Sequence, residues 1–239
     1  MAGGRASRWG GKCKHMMPVC GVPVLKRTVW LCGEFRPDIP VKVITWRPEC
    51  MLGDKIIPNP SGEAGLSQTL GILETAGEWS PDGMTHLILG DVSFQKGTLR
   101  EILTYTGPAR AWGRMWGNEL TGKQDREIFA YSFPPGYHGF LKRCCEMAVA
   151  SHLPEEGDMW DIFNFQCGGT GVLGRMTEKL YKMLPNESRL KYLYPFLLWW
   201  SGGLWYEVDE FVTDDFDYPE DYDKYVAKIT PFMLEMDVV

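Results

Sequence analysis

The stretch AGGRASRWGGKCK, residues 2–14, combines the two residue types that phosphate chemistry requires. Gly3, Gly4, Gly10 and Gly11 carry no Cβ, so backbone amides there can approach an anion closely. Arg5, Arg8, Lys12 and Lys14 supply cations that offset its charge. Amides aimed at an oxyanion would complete such a loop. The stretch lacks the G-K-[ST] ending of a P-loop and the G-x-G-x-x-G of a dinucleotide fold. On composition alone, a solvated basic N-terminus explains it equally well.

Two acidic loci complement the loop. In THLILGDVSF, Asp91 directly follows a continuous apolar run. Ligands of open α/β sheets sit beyond the carboxyl ends of strands, so a carboxylate there overhangs the crevice that the loop would face. The bland alternative is a turn or helix-capping Asp. The second locus is EVDEFVTDDFDYPEDYDKY, residues 207–225. Most charges in such a run are solvated. Pro219 followed by Glu220 and Asp221 marks a helix N-terminus, where acids complement the macrodipole. Two carboxylates beside one polyphosphate would repel it unless a cation stood between them.

The spacing A-G-G-x-x-x-R-x-G-G-x-x-K, followed by an apolar stretch and G-x-P-[VL], runs without a gap from Ala2 to Val29. It resembles the signature of nucleotidyltransferases with a glycosyltransferase-A-like fold, the molybdenum-cofactor guanylyltransferase type above all, and more loosely the sugar-phosphate nucleotidyltransferases. The resemblance implies Ala2, Gly3 and Gly4 on the nucleotide with Arg5 as a helper. It assigns phosphate binding and stabilisation of the leaving pyrophosphate to Arg8 and Lys14. It also implies Mg2+ held by Asp91, at the L-G-D strand end, and by Asp217, in the position before T-P of the family's late segment. Here Tyr218 replaces the usual Thr. Asp215 and then Asp209 are lesser candidates. In that family a buried apolar strand precedes A-G-G, so the resemblance further implies a strand upstream of Met1, with Met1 as its last residue.

The implied partners are a nucleoside triphosphate, or an NDP-sugar if the chain is instead a metal-dependent glycosyltransferase of the same fold, and a phosphorylated small-molecule acceptor. A nucleotide-binding homologue without turnover is a third reading, and the intact motif residues argue against it. The loop favours nucleotidyl transfer, since a glycosyltransferase expels no pyrophosphate and needs no such pair of cations. Gly65, Leu66 and Ser67 are candidates for reading the base, against an ordinary helix start capped by Ser61. In AWGRMWGNELTGKQDREIFAYSF, Arg114 or Lys123 could hold the acceptor phosphate, with Glu127 nearby and Trp112 and Trp116 walling a sugar. The alternative there is a core hairpin with solvated charges. GGTG at residues 168–171 is either a turn near the acceptor or a loop.

These residues need elements to position them. VPVLKRTVWLC (Val22–Cys32) has helical apolar spacing, and VKVITW (Val41–Trp46) reads as a strand. AGLSQTLGILETA (Ala64–Ala76) places Leu66, Leu70 and Leu73 on one helical face. MTHLILGDV (Met84–Val92) resembles a buried parallel strand, and TLREILTYT (Thr98–Thr106) returns as a helix. REIFAYSF predicts a strand, GFLKRCCEMAVASHL a helix, LWYEVDEFVT (Leu204–Thr213) a late strand and the segment from Pro219 a final helix. The alternation predicts an α/β fold: one domain over residues 1–239, with a mostly parallel mixed sheet and helices on both faces.

Composition narrows the function classes. The chain of 239 residues is long enough for a sizeable core. A net charge of -6 argues against a broad face for duplex nucleic acid, while leaving room for a local basic pocket. Seven Cys without a C-x-x-C pair point to a reducing compartment, and four His without an H-x-x-x-H pair predict no zinc site. The longest apolar run, Tyr192–Trp200, is too short to span a bilayer and contains Pro195. With no apolar signal segment at the N-terminus, the expected location is cytoplasmic.

Overall fold

The computed structural model describes residues 9–58, 68–114, 118, 127–151, 159–166, 203–208 and 212–236. A tight hairpin comes first, β1 (Pro18–Val19) and β2 (Val22–Pro23), and α1 (Val24–Phe35) follows it directly. Cys20 and Gly21 both have positive φ, 51° and 78°, as a two-residue turn must if it is to follow the strands' twist. In α1, Val24, Leu25, Thr28, Leu31 and Cys32 are buried, the stripe that 3.6 residues per turn places on one face. The predicted strand at Val41–Trp46 forms β3 (Lys42–Thr45), parallel to β4 (Lys55–Pro58).

The main sheet has four strands in the order β5 (Thr85–Ile88), β8 (Glu127–Phe133), β7 (Arg110–Arg114), β9 (Trp205–Glu207). Strand β8 is buried almost end to end, because helices cover both faces and no side of it meets water. Leu31 of α1 and Leu99 and Ile102 of α3 (Lys96–Thr104) enter the core from one helix group. Ile72 of α2 (Gln68–Glu74), Leu141 of α4 (His138–Ser151) and Phe163 of α5 (Met159–Gln166) enter from the other. The fold is α/β with a mixed sheet, as expected.

Three details differ from the sequence expectation. The apolar run at Met84–Val92 yields only a four-residue strand, β5, and its partner β8 is antiparallel. Among the described ladders only β3–β4 and β7–β9 are parallel, so the parallel share is smaller than the alternation suggests. An apolar run reports burial on both faces, not the direction of the neighbour that buries it. Trp112, considered as a sugar wall, is instead fully buried between Tyr105 and Tyr206, and its Nε1 donates to Ser132 Oγ at 2.9 Å. At the adjacent bulge a Cβ on Gly113 would run into the Glu127 carbonyl and the Trp205 ring, so only glycine lets β7 and β8 close there.

No described ladder joins β3 to β5. Between them lies a cavity of about 610 Å³ lined by Leu25 and Val29 of α1, Val43 and Ile44 of β3, and Leu87 and Leu89 at β5. It reaches Gly90 but none of Lys14, Asp215 or Asp217.

Two outcomes follow from this core. Trp112→Ala should lose about 3–5 kcal/mol in urea unfolding, the cost of deleting a buried aromatic. His86, whose Nδ1 lies 2.8 Å from the same Ser132 Oγ, is pushed down to about 4 by burial and by the Arg36 charge, so it folds neutral. A base depressed in the folded state is protonated first in the unfolded chain, so stability falls as pH drops through the window from about 6.5 to about 4. The decline should be on the order of 2 kcal/mol, and His86→Gln should flatten it.

Candidate functional site

Within the opening loop, the described residues begin at Trp9. Gly10 and Gly11 have φ of 58° and 84°, and the Lys12 N–H donates to the Trp9 carbonyl at 3.1 Å, closing a mirror-image turn that L-residues with a Cβ resist. Trp9 is buried, and its Nε1 donates to the carbonyls of Phe216 at 3.3 Å and Asp217 at 3.2 Å. Its ring meets Tyr222 edge-on, and the Tyr222 hydroxyl donates to the Pro18 carbonyl at 2.6 Å. One indole therefore fastens the start of the chain to the acidic segment near its end. The helical turn Lys14–Met16 follows at once and aims Lys14 at that segment.

A second pairing carries the acids to the same place. The short strand β6 (Val92–Ser93) is antiparallel to β10 (Asp214–Asp215), with Val92 opposite Asp215 and Ser93 opposite Asp214. Asp91, one residue before β6, thereby comes beside residues 215–217. Lys14 Nζ lies 2.6 Å from Asp91 Oδ2 and 3.7 Å from Asp217 Oδ1. Burial alone would lower the Lys14 pKa, yet the charges of Asp91, Asp215 and Asp217 outweigh it and hold the ammonium above the ordinary lysine range. Burial would likewise raise Asp91, but Lys14 and then His15 hold its carboxyl well below the usual carboxylate range. The pair is thus fully ionised at neutral pH.

Beside this pair, carboxylate oxygens of Glu127, Asp215 and Asp217 lie within 4.8 Å of one another. At that separation two like charges repel by on the order of 1–4 kcal/mol, depending on how much water screens them. An all-oxygen, all-anionic set of this kind is what hard divalent cations such as Mg2+ bind. Glu127 takes its place from the β7–β8 ladder, where it stands opposite Arg114. Its carboxylate thus lies with those of Asp215 and Asp217.

Arg114 lies beneath them. It is 3% exposed, donates from Nη2 to the Thr213 carbonyl, and sits 3.7 Å from Asp214 Oδ1. Asn118 Nδ2 donates to the other oxygen of Asp214 at 2.6 Å. The Gln95 N–H donates to Thr213 Oγ1 at 3.0 Å. Tyr225, in α6 (Pro219–Met236), donates its hydroxyl hydrogen to one of two close acceptors, Ser93 Oγ or the Val212 carbonyl. These contacts hold β10 in register, with Arg114 supporting the acid-bearing strand from the buried side. Sequence reasoning missed Asp214 and its pairing with Asn118, about a hundred residues away, which leaves no local signal.

Lys14, Asp91 and Asp217 are therefore together, with Asp215 and Glu127 joining them. Ala2, Gly3, Gly4, Arg5, Arg8, Gly65, Leu66, Ser67 and Lys123 lie outside the described residues, as do Trp116 and Asp209.

The sequence matches no protein-family model and no curated protein. Its structure is similar to that of CTP:phosphocholine cytidylyltransferase (LicC) of Streptococcus pneumoniae, with a TM-score of 0.52 over 95% of each chain at 12% identity. The likeness is one of fold. It spans nearly the whole of both chains.

Replacing Lys14 by Met leaves Asp91 buried without its cation, which should cost about 3–5 kcal/mol in chemical denaturation. The double variant Lys14→Met/Asp91→Asn removes the stranded charge and should recover most of that loss. Equal losses in single and double variants would mean that the pair is not coupled.

Proposed function

We propose that the protein is a nucleotidyltransferase that transfers a nucleoside monophosphate from a nucleoside triphosphate to a phosphorylated small-molecule acceptor and releases pyrophosphate. The observation that carries this reading is Lys14, which follows a glycine turn and faces Asp91 and Asp217 across a fold like that of a cytidylyltransferase. An acceptor phosphate oxygen attacks the α-phosphorus in line, the bond to the bridging oxygen breaks, and the electron pair leaves with pyrophosphate. Such a reaction needs positioning and charge stabilisation more than covalent chemistry.

In this reading Lys14 and Arg8 neutralise charge on the leaving group, and Gly3 and Gly4, with Ala2 and Arg5, hold the triphosphate. Asp217 and Asp91 would hold Mg2+, with Asp215 and Glu127 the additional oxygen donors at hand. Bound there, the ion would draw the polyphosphate to an otherwise repellent acidic surface. Gly65, Leu66 and Ser67 would read the base, and Lys123 would reach the acceptor phosphate. No helix among the described residues is long and apolar enough to cross a membrane. A cytoplasmic location, where nucleoside triphosphates are made, goes with this reaction.

The test incubates the protein with each nucleoside triphosphate, Mg2+ and a panel of sugar phosphates and phosphorylated alcohols, and measures pyrophosphate. Release should require the acceptor and stop when the metal is chelated. Lys14→Ala should lower turnover on the order of 10²–10³-fold, the usual effect of losing one preorganised donor. Asp217→Asn should raise the Mg2+ concentration needed for half-maximal rate. Product formed from an NDP-sugar without pyrophosphate would replace this reading with glycosyl transfer.

A further inference from the structure

Lys14 is flanked by two residues that nucleotidyl transfer does not use. Cys13 and His15 stand on either side of it, and Cys50 meets them from the helical turn Pro48–Cys50, which follows β3. Cys13 Sγ lies 3.6 Å from His15 Nδ1 and 3.3 Å from Cys50 Sγ, and one donor atom from each residue falls within 4.8 Å of the others. His15 is buried, Cys50 completely so, and both thiols are free. Each turn is closed by its own backbone bond, Met16 N–H to the Cys13 carbonyl and Cys50 N–H to the Arg47 carbonyl, both at 3.0 Å. The donors are thus held in place by the fold itself.

These spacings can be compared with those a metal ion would impose. With Zn–S of about 2.3 Å and Zn–N of about 2.0–2.1 Å, tetrahedral geometry separates sulfur from nitrogen by about 3.5–3.6 Å and the two sulfurs by about 3.8 Å. The observed sulfur–nitrogen distance agrees, and the sulfurs need to part by only about half an ångström. A disulfide would instead require them to close to about 2.05 Å and would give His15 no role.

We propose that Cys13, His15 and Cys50 form a binding site for a borderline-soft divalent cation, zinc above all, completed by water in the fourth position. Two thiolates and an imidazole select such an ion over Mg2+, while the carboxylates of Glu127, Asp215 and Asp217 select the reverse. The ion ties the turn that carries Lys14 to the segment after β3, which makes it a positioning device for that ammonium. Its binding does not depend on the nucleotidyltransferase reading, and the test below reads metal alone.

The full-length chain, reduced and stripped of metal, is titrated with Co2+ and, separately, with Zn2+ followed by elemental analysis. About one equivalent should bind. Cobalt should give the intense visible bands of a tetrahedral ion and a near-ultraviolet thiolate charge-transfer band, and excess Mg2+ should not displace it. Cys13→Ser should abolish the charge-transfer band or weaken binding at least about tenfold, and so should His15→Gln and Cys50→Ser. Cys144→Ser should change nothing. Cys13 is only half-buried, so its variant keeps the test decisive if Cys50→Ser fails to fold. The proposal is overturned if no tetrahedral cobalt spectrum appears, or if Cys13→Ser binds zinc as wild type does. It is equally overturned if the metal-free protein forms a Cys13–Cys50 disulfide, detected by mass, yet binds no zinc when reduced.

Discussion

A lysine ammonium drawn largely out of water and set against a buried carboxylate is the constraint around which this structure is organised. Moving either ion alone into the protein would cost several kcal/mol, and only close approach with good geometry offsets that. Lys14 and Asp91 achieve it at 2.6 Å, with Asp217 as a second, more exposed counter-charge. The arrangement keeps the ammonium charged beside the clustered carboxylates of Glu127, Asp215 and Asp217.

The supports of that pair come from distant parts of the chain. Trp9 bridges to the carbonyls of Phe216 and Asp217, β6 pairs with β10, and Arg114 with Asn118 neutralises Asp214 beneath the strand. Each contact is buried or partly buried, where a lost hydrogen bond leaves an unpaired polar group and not merely a hydrated one. Rigid elements carry the charged groups, and apolar packing behind them, such as Phe216 against Tyr225 and Tyr222, fixes their rotamers. This is how a site on short strands and turns acquires the precision of one on longer elements.

The donor sets near Lys14 also differ in chemical softness. Carboxylate oxygens of Glu127, Asp215 and Asp217 form one cluster, and two thiols with an imidazole form another. One turn of three residues, Lys14–Met16 with Cys13 before it, thus meets a hard donor set through Lys14 and a soft one through Cys13 and His15. The apolar cavity between β3 and β5 belongs to neither, since no residue of either donor set lines it.

The sequence by itself determined the α/β class, the placement of α1, β3, α3, β8, α4 and α6, and the candidacy of Lys14, Asp91 and Asp217. Helical periodicity, β-branched runs, a proline-initiated helix and a glycine-rich cationic loop are all local signals, readable within a dozen residues. Tertiary structure alone decided the rest. The direction of β8 between β5 and β7, the burial of Trp112, the inward role of Arg114 and the meeting of Glu127 with Asp215 and Asp217 all depend on partners tens to hundreds of residues away. The same holds for Cys13, His15 and Cys50, which no local spacing motif unites and only the packing of two helical turns brings within reach. Short-range pattern reports what a segment can bury or bind. Which groups finally face one another is set by chain closure and packing, and that information is distributed over the whole sequence.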